Sequence, residues 1–468
     1  MSLTFRVGFG RPWSAFRRNW AGLLCTLFLL PRLLSAQTEL RPSTIGGLLD
    51  PQIPPVNPDY NLKLGPVDVL FTAGLQTQFN DNISLTQNNP TSDIILTPQF
   101  TIGMFWQLTP YNSIRLNTTI GYMRYLSHPD FRGSSNPITI SPDSEISYNI
   151  FLGAFVVNFH DRFEFAQDPV TEPSVANVTN LGRFINTAGL GITWNPSQVL
   201  SFKVDYDHTD LIPQSSSADF EAYSEDQLSL SAQAVIEPWI SAGLEGSVAS
   251  TRYRTSGRPD ALSSNVGPFI DLSLSSFTHL RLAGGWQGIF FQENGDTPEV
   301  NSEALQLARA LQSLSPDLQA ALIRIDPALA GLEAPLTNAT PQDQNTYYFN
   351  VELTNNLTTR TRQSLSFGRE SQLGITTASE NDYFLRYDIG TNLNDFVSVH
   401  LSAFFTRGTT FGLLGEHFTQ DGVELSSAFR FNKHFSGALS YRYAHRTSNV
   451  DLMSYDQNVV SLSLDYHF

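Results

Sequence analysis

The chain has 468 residues with a single cysteine, and its 44 Asp and Glu outweigh 28 Lys and Arg to give a formal net charge of −16. That acidic balance excludes nucleic acid as a partner, because phosphate neutralisation needs clustered Lys and Arg. The length exceeds that of a usual single soluble domain, yet past residue 36 no apolar run approaches the roughly 20 residues that a membrane-crossing helix needs.

At the start, Arg6, Arg11, Arg17 and Arg18 precede the apolar run Ala21–Leu30, and Leu34-Ser35-Ala36-Gln37 offers small residues for cleavage. Residues 1–36 therefore read as a secretory signal peptide, with Arg32 leaving the cleavage position open. Arg17-Arg18 fits a twin-arginine signal poorly, which favours the general secretory route. Cys25 lies inside the run, so the mature chain holds no disulfide, thiol nucleophile or thiolate metal site. Removing the five arginines of this leader leaves 23 basic residues against 44 acidic ones, a net charge of −21. Residues 37–66, punctuated from Pro42 to Pro66, read as an extended periplasmic segment.

From residue 67 to the end, apolar and polar residues alternate with the period of two that puts them on opposite faces of a strand. Val69, Phe71, Ala73, Leu75 and Phe79 share one face of 67–80; Phe100, Ile102, Met104, Trp106 and Leu108 share one face of 93–108. Further segments are expected at 111–126, 139–152, 154–167, 180–195, 198–210, 223–237, 239–254, 261–275 and 277–292. After an insertion come 343–356, 358–371, 380–394, 396–408, 419–432, 435–447 and 456–468. The tally is eighteen, with sixteen as the nearest alternative.

Connections alternate too. Tight turns are expected near 109–110, 152–153, 195–196, 238, 275–276, 356–357, 394–395 and 432–434, and long polar loops between the other pairs of strands. Short turns at one rim and long loops at the other, with an even strand number, describe a transmembrane antiparallel up-and-down β-barrel in a bacterial outer membrane. Closing strand one on strand eighteen leaves no unpaired edge in lipid. The long loop 293–342 departs from the β pattern. Ser302 and Glu303, then Ser315-Pro316, open two helical periodicities, so 299–336 reads as a helical hairpin in one extracellular loop, either folded into the mouth and narrowing it or standing outside as a cap or partner-binding knob.

Trp106, Trp194 and Trp239 all fall at the short-turn rim, where amphipathic rings favour a membrane interface. The polar faces supply the pore-lining candidates: Arg115, Asn158, His160, Arg162, Lys203, Asp205, Asp207, His279, Arg281, Arg386, Asp388, Glu424, Arg430 and Arg442. A barrel of this size leaves an aqueous channel. Asp161, between Phe159 and Phe163 on the apolar face, breaks the pattern, and a bulge or a rim position would explain it. The final strand alternates strictly from Val460 to Phe468, and Tyr466 with the C-terminal Phe468 resembles the signal read by barrel assembly machinery.

No catalytic constellation emerges. The nine histidines are scattered singly, with no HExxH pair and no GxSxG elbow. No cofactor or metal is implied. A plug-bearing transporter is disfavoured because about 30 residues before the first strand cannot form a globular plug.

The stretches Ala73–Ile83 and Phe155–Phe163, within a signal-plus-barrel architecture, resemble the group of barrels called beta-barrel porin 2, across nearly all of the mature chain. That resemblance implies passive diffusion of small hydrophilic solutes, with outer-membrane lipid as surroundings and no catalytic residues. Some relatives in that group are associated with exopolysaccharide systems, which implies a second reading, a structural or export-accessory barrel without general pore activity. A homotrimer suits the class, but no residue marks an interface. The net charge of −21 predicts weak cation preference.

Overall fold

The computed structural model describes residues 60–129, 137–166, 182–214, 222–254, 258–292, 342–374, 377–411, 415–450 and 453–468. Within them one sheet of 21 antiparallel strands closes on itself. Three of these are short segments, Leu62–Leu64, Arg124–Tyr125 and Ile138–Ile140, and the remaining eighteen form the wall. In chain order they are β1 Val67–Asn80, β2 Asp93–Thr109, β3 Asn112–Tyr122, β4 Glu145–Leu152, β5 Phe155–Ala166 and β6 Arg183–Ser197. Next come β7 Leu200–Pro213, β8 Tyr223–Glu237, β9 Ile240–Tyr253, β10 Ala261–Ser273, β11 Thr278–Phe291 and β12 Gln344–Thr358. The circle is completed by β13 Thr361–Gln372, β14 Ser379–Asn392, β15 Val397–Phe411, β16 His417–Arg430, β17 Phe435–Ser448 and β18 Tyr455–His467.

Each strand pairs with its sequence neighbours, and β18 closes the barrel on β1 through Thr72↔His467 to Asn80↔Val459. Below this seam β18 does not cover the outer edge of β1, which stays paired with β2 on its other side. The chain ahead of β1 fills the gap: Leu62–Leu64 pairs with Val67–Val69 through a turn at Gly65, whose φ of +62° suits glycine. Where the two partners meet, the Asn61 side chain donates to the Phe71 carbonyl at 2.6 Å and accepts from the Phe71 amide at 3.0 Å. The last residues of the proline-rich segment are thus part of the wall. Residues 1–59, with the expected signal peptide, lie outside the described residues.

Alternation sorts the side chains. Leu75, Phe79, Phe100, Phe159, Leu230, Leu244, Leu282, Leu425 and Leu462 are large, apolar and exposed on the outward face. A soluble sheet would bury such a row. The polar residues between them meet across the interior.

Three local departures from the expected pattern have physical causes. The turn expected at 195–196 falls at 198–199, because Pro196 lacks an N–H for the ladder and a register shift between Leu200 and Phe202 absorbs it. The turn expected at 356–357 falls at 359–360, after a second register shift between Asn355 and Thr358, with Thr358 Oγ1 accepting from the Arg360 amide at 3.1 Å. The fourth segment is interrupted at Ser141–Ser144, where Pro142 breaks the ladder, and resumes as β4. No helix occurs among the described residues, and the segment 299–336 lies outside them.

Candidate functional site in the barrel interior

The expected pore-lining residues fall into groups set by strand register. Asn158, His160 and Arg162 alternate along one face of β5, with Phe155 and Phe159 exposed on the other. His160 Nε2 lies 2.7 Å from Asp207 Oδ1 on β7, its Nδ1 is 2.8 Å from Asn158 Oδ1, and Asn158 donates to Asn149 of β4 at 2.8 Å. Arg162 donates to Glu145 at 3.3 Å. On β7, Lys203 pairs with Asp205 at 3.0 Å.

A second group forms on β9–β11. Arg281, 14% exposed, donates to Glu245 at 2.6 Å and to both carboxylate oxygens of Asp271 at 3.0 Å, and its guanidinium lies 4.2 Å over the Phe269 ring. His279 Nδ1 stands 3.2 Å from Ser273 Oγ near the short-turn rim. On β14, Arg386 stacks at 4.7 Å over Phe384 and Asp388 faces His400 at 3.6 Å. Glu424 of β16 sits directly opposite Arg442 of β17, and Arg430 lies opposite Ser436 at the rim. Arg115 on β3 is paired in register with Phe105 and Ser147.

A cavity of about 740 Å³ opens inside the barrel. Its lining runs from Gln76 and Gln78 on β1 round to Phe384 on β14, so it occupies the interior away from β15–β18. Of the expected pore-lining residues, Arg162, Asp207 and Arg281 border it. Glu164, Glu225, Glu245, Glu352 and Glu370 border it as well, together with Arg183 and Arg369, so six carboxylates face four guanidiniums. Strand parity alone locates Glu225 and Glu245, but β8 and β9 outward positions such as Ser224, Ala242 and Gly246 are too small or polar to make the alternation stand out.

Next to β15–β18, described residues pack into the loop-side interior. The first long loop folds inward, and Leu85 is fully buried in a cluster with Ala444 and Tyr455, with Phe404 and Met453 packed against it. Asn82 fixes this loop by donating to the carbonyls of Thr86 and Asp456, both at 2.9 Å. Beside it Arg446, with no exposed side-chain area, lies 2.7 Å from Glu416 and 4.5 Å over the Phe418 ring. The sequence carries no clear sign of this element, because a loop of Asn, Ser and Thr around Ile83 and Leu85 looks like any solvated turn.

The outward residues are equally specific. Trp194 stacks between Phe155 at 5.8 Å and Phe202 at 5.3 Å; Trp106 is paired with Ile114 and Val67; Trp239 occupies the turn before β9. All three stand at the short-turn end. Tyr466 contacts Phe435 and Phe468 edge-on, each at 5.0 Å. Asp161 does point outward; β5 keeps regular register there, and the Asn186 amide supplies its partner. Among the described residues no group of histidine, cysteine or carboxylates has the arrangement of a metal site.

No protein-family model matches the chain, and no curated protein matches it either. Solved structures with a similar barrel include OpdK of Pseudomonas aeruginosa with vanillate, 8% identical, covering 86% of this chain and 99% of that one at a TM-score of 0.46. OccAB4 of Acinetobacter baumannii is 11% identical, with 86% and 98% covered at 0.44, and a loop-deletion mutant of OmpT of Vibrio cholerae is 8% identical, with 86% and 100% covered at 0.38. None of these likenesses reaches a TM-score of 0.5, and the chain's own geometry carries the reading of its function.

Proposed function

We propose that the protein is an outer-membrane porin-like channel for passive diffusion of small hydrophilic solutes. The observation that carries this is the inversion of the barrel. Large apolar side chains stand exposed outside a closed wall, while ionised and amide groups line a cavity of about 740 Å³ within it. An apolar outer surface of this extent is stable only against lipid, and unlinked charges inside are stable only with water or with each other. Within this reading Trp106, Trp194 and Trp239 form part of an interfacial belt, and Tyr466 with Phe468 serves as the assembly signal. The candidates named above line the aqueous path. The excess of carboxylates around the cavity supports weak cation preference. Export through a signal peptide in residues 1–36 belongs to the same proposal, as does kinship with the beta-barrel porin 2 group, which rests on the two stretches that suggested it. The channel reading assigns the protein no catalytic role.

One feature favours the second reading, an accessory barrel without general pore activity: the Leu85 cluster and the Arg446–Glu416 pair fill the loop-side interior next to β15–β18. Planar-bilayer recordings separate the two. Discrete conductance steps support the channel, and a correctly inserted barrel that passes no current supports the accessory role.

A further inference from the structure

Ionisable side chains are costly on a lipid-facing wall, yet β7–β9 carry a group of them on the outward face. Tyr206 donates to Asp226 at 2.7 Å. His208 Nδ1 is 2.8 Å from the same carboxylate and its Nε2 is 3.6 Å from Asp210. Arg254 pairs with Asp210, and Arg252 stands 4.0 Å from Asp226. The face is set by Tyr206, Leu228 and Val248, which are all exposed on it. Height explains why the charges are tolerated. His208 is eight residues above the short turn at Leu200, and eight residues of a tilted strand climb roughly 20 Å, close to the top of an apolar band about 25 Å tall.

The arginines are the outermost members. Arg252 is 67% exposed and Arg254 45%, against about a third for Asp210 and Asp226. The carboxylates are occupied by His208, Tyr206 and Arg254, and they hold the arginines from below. Arg252, near the end of β9, and Arg254, one residue past it, both stand more exposed than these carboxylates, and guanidinium donors are what a phosphate requires. We propose that this outward cluster is a docking site for the phosphate of a phosphorylated outer-leaflet lipid, with Arg252 and Arg254 as its ligands and Asp210 and Asp226 as their positioning partners. This inference rests on the membrane reading above.

The test titrates the full-length protein in detergent micelles with a lipid A carrying two phosphates and with the same glycolipid freed of phosphate, counting bound lipid by native mass spectrometry. Wild type is expected to bind the phosphorylated lipid selectively. The double variant Arg252→Ala/Arg254→Ala loses at least about tenfold in affinity, while Arg252→Lys/Arg254→Lys keeps most of it. Equal binding of the dephosphorylated lipid, or an unchanged affinity in the double alanine variant, overturns the proposal. Heat-modifiable migration and bilayer insertion report separately on folding. If wild type fails to insert, the membrane reading falls and this inference with it; if it inserts without phosphate dependence, only this inference falls.

Discussion

His160 Nε2 lies 2.7 Å from Asp207 Oδ1 although β6 runs between their strands. The contact exists because Gly189, opposite both residues, has no side chain: a Cβ there would overlap both the imidazole and the carboxylate. Gly191 makes the same room beside Asp205. Gly189 in Ala188-Gly-Leu-Gly-Ile192 thus lets polar groups join across an intervening strand.

Gly189→Val is therefore expected to push His160 and Asp207 apart and to cost about 1–3 kcal/mol through overpacking. Urea unfolding followed by heat-modifiable migration checks this. A variant as stable as wild type would mean that the bridge does not exist in the folded barrel.

Arg446 and Glu416 form a buried pair, with 0% and 4% of their side chains exposed. Arg446→Ala leaves a buried carboxylate without its cation, and the expected loss is about 3–5 kcal/mol. The double change Arg446→Met/Glu416→Gln removes both charges and is expected to cost clearly less. Equal losses in the two variants would contradict the ion-pair account.

Leu85 has a φ of +50°, unusual for a branched side chain, and is fully buried. Burial against Ala444 and Tyr455 is what offsets that conformation. Leu85→Ala is expected to lose about 2–5 kcal/mol of anchoring and to free the first loop, raising single-channel conductance and its noise. Unchanged conductance would show that this loop does not narrow the path.

Phe468→Ala removes an exposed ring that packs edge-on against Tyr466 in the rim cluster. The amount of barrel assembled in cells is expected to fall several-fold while the conductance of the assembled fraction stays at the wild-type level. Undiminished assembly would refute the assembly-signal role.

The wall was largely legible in the sequence because two-residue alternation is a direct image of strand geometry, and each outward leucine or phenylalanine marks a face. Boundaries slipped where backbone chemistry intervened, as at Pro196 and after Asn355. The interior was legible residue by residue but not as a site. Arg281 could be placed on the inward face, but its partners Glu245 and Asp271 come from β9 and β10 and are fixed only by inter-strand register. Leu85 was illegible for another reason: Ile83 and Leu85 are two apolar residues in a polar loop, too few to carry a periodicity. The outward charges on β7–β9 appear in the alternation as polar residues on the apolar face, a break whose meaning depends on height along the barrel.

The central claim is that the interior conducts, and single-channel recording across a salt gradient tests it most directly. The account predicts discrete steps whose reversal potential is displaced modestly towards the cation equilibrium potential, as expected from six carboxylates facing four guanidiniums around the cavity. An inserted, heat-modifiable barrel that passes no current would contradict it, and clear anion selectivity would contradict its electrostatics.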